Sequence, residues 1–181
     1  MTPHGHSWRA AILFQGIAEA ELDRSQMMTE FSGLKKGWKN FIQTTVDHSF
    51  LHHEADPLVE HLRVIVPQFR GLPFPGDPTT EMVAACFLWK AHVMNEAFFG
   101  EEPRMIPVGI EVQETETNRV EFYAADVGAI LESVPDLRGY EGWWKDSDPQ
   151  ARWMERSTHS GVATRLTAEE ATRVFSDQLS H

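Results

Sequence analysis

The most constraining feature of this chain is a change of hydrophobic period at Glu101-Glu102-Pro103. Across residues 8 to 100 the apolar side chains can be read at helical spacing, whereas beyond Pro103 they alternate with polar ones. MIPVGIEVQ and RVEFYAA flank the polar segment ETETN, which predicts a hairpin with a loose loop. Two strands alone are marginally stable in water, so this hairpin needs a helix, a third strand or a partner to cover it.

Before the break, Ala10, Leu13, Phe14, Ile17, Ala20, Met27, Met28 and Phe31 suggest an amphipathic helix over residues 8 to 31, broken near Ser25. A second helix is expected from Gly33 to about His53, with Leu34, Trp38, Phe41, Ile42 and Thr45 on one face. Three Asp-Pro pairs, at Asp56, Asp77 and Asp148, read as helix starts: aspartate caps exposed N–H groups, and proline at the first helical position has none to waste. The first opens a short helix through Leu58, Val59, Leu62 and Ile65 that stops near Pro67. The second opens a long one through Val83, Phe87, Lys90, Ala91, Met94 and Phe98, ending at Gly100. FRGLPFPGDP between them reads as a rigid crossover. Thr167 and Glu170 form a capping box before a last helix with Leu166, Ala171, Val174, Phe175 and Leu179 as its apolar set. The expected fold class is mainly α: an irregular helical bundle with one late β-hairpin and a C-terminal helical arm. The expected divisions are a helical domain over 1–103, a hairpin segment packed on it over 104–139, and an extended arm with short helices over 140–181.

A formal charge of −11 repels phosphate backbones and anionic membranes, and Lys35-Lys36 is the one tight basic pair, so neither nucleic acid nor membrane is an expected partner. The single cysteine, Cys86, excludes an internal disulfide and fits a cytoplasmic protein. The N-terminal residues lack the pattern of a signal peptide. Six tryptophans and eleven phenylalanines suit a core or an interface, and Trp143, Trp144 and Trp153, in polar surroundings, read as interface residues.

His48, His52, His53 and His61 fall close to Glu54, Asp56 and Glu60. On a continuous helix His48 and His52 would share a face and could address one metal ion. No Glu-x-x-His pair of the di-iron bundle type occurs, so the plainer reading is a polar helix end. His4 and His6 read as a weak metal-scavenging tail. Cys86 reads as a buried thiol, and His92, six residues on, is badly placed to form a dyad with it. Ser157, Thr158, His159 and Ser160 lie outside any nucleophile-elbow pattern. Glu111, Glu114, Glu116 and Glu121 read as a solvated acidic strip. No residue is assigned as catalytic, cofactor-binding or metal-ligating on these grounds.

Three stretches resemble the gamma subunit of soluble di-iron hydrocarbon monooxygenase hydroxylases of the methane and butane type. They are MTEFSGLKKGWKNFIQTTVDHSFLHHEADPLVEHLRVI, AHVMNEAFFGEE, and MIPVGIEV with VEFYAADVGAILESVPDLRG, together spanning residues 28 to 139. The resemblance implies a non-catalytic assembly subunit packed on larger alpha and beta hydroxylase chains, with the di-iron centre in the alpha chain and no cofactor in this one. Trp38, Trp89, Trp143 and Trp144 would then anchor it. The competing expectations are a self-contained, hemerythrin-like metalloprotein using His48, His52, Glu54 and His61, and an acidic protein-interaction module.

Overall fold

A computed structural model describes residues 5–17, 26–28, 31–100, 103–124 and 142–145. In chain order it contains β1 (Arg9–Gly16), α1 (Ser32–Phe41) continued by a π-turn (Ile42–Val46), β2 (Phe50–His53), α2 (Leu58–Ile65), β3 (Gly71–Phe74), α3 (Thr80–Phe99), β4 (Met105–Gln113), β5 (Arg119–Tyr123) and a short 3-10 turn (Trp143–Lys145). The larger sheet is antiparallel with order β1-β4-β5, and β2 and β3 form a separate parallel pair. Ile12 lies opposite Ile110, Ile110 opposite Phe122, and a register shift interrupts β1 between Leu13 and Phe14.

The expected hairpin is present, and its cover is a third strand together with α3, which packs on the β4 and β5 side of the sheet. α3 is apolar on every side and is buried accordingly, from Thr80 through Asn95 apart from Glu81 and Val93. Thr79 caps it by accepting from the Met82 N–H at 3.2 Å, and Gly100, at φ +65°, ends it. Asp77 is therefore not the cap, and the helix begins at Thr80, two residues beyond the Pro78 that the Asp-Pro pair placed first. At α2, by contrast, Asp56 does accept from the Leu58 N–H, at 2.9 Å.

An aromatic layer joins the parts. Trp143 stacks on Phe41 with centroids 5.6 Å apart and meets Phe74 and Phe87 edge-on, while its indole N–H donates to the Pro73 carbonyl at 2.8 Å. Lys90 is almost fully buried beside this layer; its ammonium donates to the Trp143 carbonyl at 3.2 Å and lies over the Phe41 ring.

These elements replace the expected helical bundle with an α/β arrangement that has three α-helices and five strands among the described residues. The first correction is at residues 9–16. Ala10, Ile12 and Phe14 are half-buried while Arg9, Ala11, Leu13 and Gln15 are exposed, a strand alternation that a short apolar run conceals. The second correction concerns the expected helix over 33–53: it ends at the π-turn, and the chain reverses at His48 into β2. The crossover before α3 contains β3, paired with β2. Trp143 and Trp144 are 5% and 0% exposed and Trp89 is 7% exposed, so these three belong to the core and cannot serve as docking anchors; Trp38 is half-buried against Phe41 and Phe87. Phe98, expected in the apolar set of the long helix, is 47% exposed. Trp153, the helix start read at Asp148 and the helix after Thr167 lie outside the described residues.

Candidate functional site

The β4–β5 turn ETETN is tightly ordered. The Glu114 N–H donates to the Asn118 carbonyl at 3.0 Å, and the Thr115 hydroxyl accepts from the Asn118 N–H at 3.0 Å. These bonds fix Glu114 and Asn118 on one side of the turn, where Asn118 Nδ2 donates to Glu114 Oε2 at 2.6 Å. The N-terminus of α3 meets them there. Thr79 is occupied in capping, so its neighbour Thr80, buried at 5% exposure, is left to donate its hydroxyl to Glu114 Oε2 at 3.1 Å. Asn118 Nδ2 also lies 3.4 Å from the Thr80 hydroxyl, closing a triangle. The second carboxylate oxygen, Oε1, faces His6 Nε2 at 3.4 Å, and the His6 ring meets Trp8 edge-on.

The carboxylate is about three-quarters buried and its two neutral donors both fall on Oε2, so Oε1 is the oxygen with acceptor capacity left for a ligand. The positive end of the α3 dipole favours its charge.

A second arrangement lies at the end of the π-turn. His48 adopts a left-handed backbone at φ +58°, uncommon outside glycine, and its Nε2 is 3.8 Å from the Asp47 carboxylate. Both side chains are mostly exposed, at 87% and 58%. A π-turn followed by a strained residue is a recurrent mark of functional positions, and a histidine beside a carboxylate is suited to proton transfer.

The histidines expected to cluster are dispersed. His52 is buried on β2, stacked on Phe50, with its Nδ1 2.7 Å from the His53 carbonyl; burial holds its pKa below the usual histidine value. His53 Nδ1 accepts from the Ala55 N–H, the Glu54 N–H donates to the Phe74 carbonyl, and His61 is exposed on α2. Among the described residues no three His, Cys, Asp or Glu side chains are placed to hold a metal ion. The residue available for that role in the Glu114 cluster is His6. His4 lies outside the described residues. Cys86 is 2% exposed and burial pushes its thiol far up, so it is an inert core residue as the sequence suggested. His92 is buried too, its pKa lowered by desolvation to about 4.

The sequence reading treated Glu114 as one of four equivalent strip residues. Glu111 and Glu121 do pair with Arg119 at the surface. What singles out Glu114 is contact with Thr80, 34 residues earlier, which strand periodicity does not report.

An antiparallel hairpin extended by β1 and backed by a long buried helix, with a carboxylate fixed where the helix N-terminus meets the β4–β5 turn, defines an α/β protein. The family model for 6-pyruvoyl tetrahydropterin synthase matches residues 1–125, and the chain belongs to that family. No individual curated relative matches it. Membership overturns the gamma-subunit, hemerythrin-like and interaction-module readings alike. It also overturns the expected alpha and beta hydroxylase partners, since proteins of this family are typically hexamers of one chain. No helix among the described residues is long and apolar enough to cross a membrane.

Proposed function

We propose that the chain is a cytoplasmic, pterin-acting enzyme in which Glu114 reads the pterin ring. The family description names a tetrahydropterin with a pyruvoyl group at position 6. A pterin presents its ring N3–H and its 2-amino N–H side by side, a donor pair that suits a fixed carboxylate acceptor. The observation that carries this reading is the fixing of Glu114 by Thr80 and Asn118, which both donate to Oε2 and so orient the carboxylate with the lone pairs of Oε1 left for the ligand. His6 and Trp8 supply ring faces next to it.

Building a carbonyl side chain on such a ring moves protons between carbon and oxygen. His48, whose ring lies beside the Asp47 carboxylate, is the proposed proton carrier. Cys86 has no part in the chemistry because it lies in the core. By analogy with the family's usual assembly, the working form is a hexamer of this chain.

The test is calorimetric titration of a 2-amino-4-oxopterin against the 2,4-dioxo analogue, which lacks the amino donor. The native chain is expected to prefer the pterin. Glu114→Gln is expected to weaken pterin binding by about one to two orders of magnitude, the effect of losing about 1.5–3 kcal/mol of charge-assisted hydrogen bonding. Equal affinity of native chain and variant for the pterin would remove Glu114 from this role.

A further inference from the structure

The π-turn that delivers His48 is weakly held by its own side chains. Ile42 and Val46 are only half-buried against the core, and Gln43, Thr44, Asp47 and His48 are exposed. Within the segment the backbone bonds are local: the Asp47 N–H donates to the Ile42 carbonyl at 2.8 Å, and the Ser49 N–H to the Val46 carbonyl at 3.0 Å. Such bonds turn the chain without fixing the turn against the rest of the molecule. A non-glycine residue in the left-handed region, as His48 is at φ +58°, persists only where its surroundings over-determine it.

The outside restraint comes from Arg70, in the crossover before β3. Its guanidinium donates from Nη2 to the Thr44 carbonyl at 2.7 Å, on the N-terminal side of His48. Its own carbonyl accepts from the Phe50 N–H, also at 2.7 Å, on the C-terminal side. Together the two bonds bracket the residues from 45 to 49. The first is charge-assisted and short, the stronger kind of hydrogen bond. Arg70 is itself well anchored, because Gly71 beside it pairs with Phe50 at the start of β3. A Cβ at Gly71 would lie 2.7 Å from the His52 ring and 2.8 Å from the Phe69 ring, so this glycine permits the close approach that seats Arg70.

We propose that Arg70 is a positioning residue for His48: by clamping the chain at Thr44 and Phe50 it holds the imidazole in place for proton transfer. Both bonds go to backbone atoms, so Arg70 acts through the turn rather than on the ring. The proposal rests on the reading of His48 as the proton carrier and asks nothing of Glu114. Misplacing a reacting group by about 1 Å costs on the order of a hundredfold in rate, so a loosened turn should be felt in turnover before it is felt in binding.

Two measurements on the full-length chain test this. Amide hydrogen exchange is followed by mass spectrometry, and proton transfer by NMR as uptake of deuterium from D2O into the methyl group of 6-pyruvoyl tetrahydropterin. In that uptake a methyl proton passes to His48, the C–H electron pair shifts to leave an enolate on the adjacent carbonyl oxygen, and a deuteron returns to carbon. Arg70→Met keeps the side chain's stem and removes its donors. It is expected to speed exchange of the Asp47 and Ser49 amides while leaving those of α3 unchanged. It should also lower saturated uptake by about ten- to a hundredfold, with the half-saturating pterin concentration unaltered. Arg70→Lys, which keeps a cationic donor, should recover most of that loss. Arg63→Met, which removes a guanidinium paired with Glu60 on α2, should alter neither reading. Unchanged exchange of the turn amides in Arg70→Met would overturn the proposal, as would native uptake by that variant while His48→Ala is slow. Native uptake by His48→Ala would instead remove His48 as the proton carrier, and the role of Arg70 with it.

Discussion

Thr80 shows how one hydroxyl can serve two neighbours, donating to Glu114 and lying within reach of the Asn118 amide. Thr80→Val keeps the shape and removes those bonds, so it should cost about 1 kcal/mol of stability and also weaken pterin binding, both readable by urea titration and calorimetry. His92 makes a separate prediction. Its folded pKa, about 4, lies below the unfolded value of 6.5, because burial penalises the charged ring more than a hydrogen bond with Pro107 favours it. Between these values the unfolded chain binds the extra proton, so the stability conferred by neutral His92 is fully present above pH 6.5 and is lost as pH falls toward 4. The slope is about 1.4 kcal/mol per pH unit inside that window, with His52, shifted the same way, adding to it. Unfolding midpoints at pH 7 and pH 5 should differ accordingly, and His92→Gln should reduce the difference. None of this pairing is visible in sequence, where Thr79 and Thr80 look alike and His92 looks like any helical histidine.

Among the elements, α3 was the most legible. Its length, its apolar content and the glycine at its end all favour a helix, and only its start, its cap and the exposure of Phe98 departed from expectation. Thr79→Ala should destabilise by about 1 kcal/mol through loss of that cap, measured by thermal unfolding. β1 was the least legible, because RAAILFQG satisfies both helical and strand templates over so short a length; pairing with β4 decides between them. The break at His48 was hidden for a related reason. The apolar spacing of α1 continues smoothly into the π-turn, and nothing local announces a left-handed histidine. His48→Gly should relieve that strain and raise stability by about 1 kcal/mol while removing turnover, the opposite signs expected of a residue kept strained for function.

At the scale of the whole molecule, α1, α3 and the β2–β3 pair are tied together by the aromatic layer around Trp143. Trp143→Ala should therefore be among the most damaging single changes, at about 3–5 kcal/mol, seen as a large fall in the denaturant midpoint. The sequence by itself determined the hairpin, α2, α3 and the buried Cys86, because these rest on local periodicity and turn chemistry. Tertiary structure alone decided that residues 9–16 are a strand, that the paired tryptophans are core, and that the histidines scatter while Glu114 is gathered in. Each of those outcomes depends on contacts between residues tens of positions apart, such as Thr80 with Glu114 and Pro73 with Trp143, which no local pattern encodes.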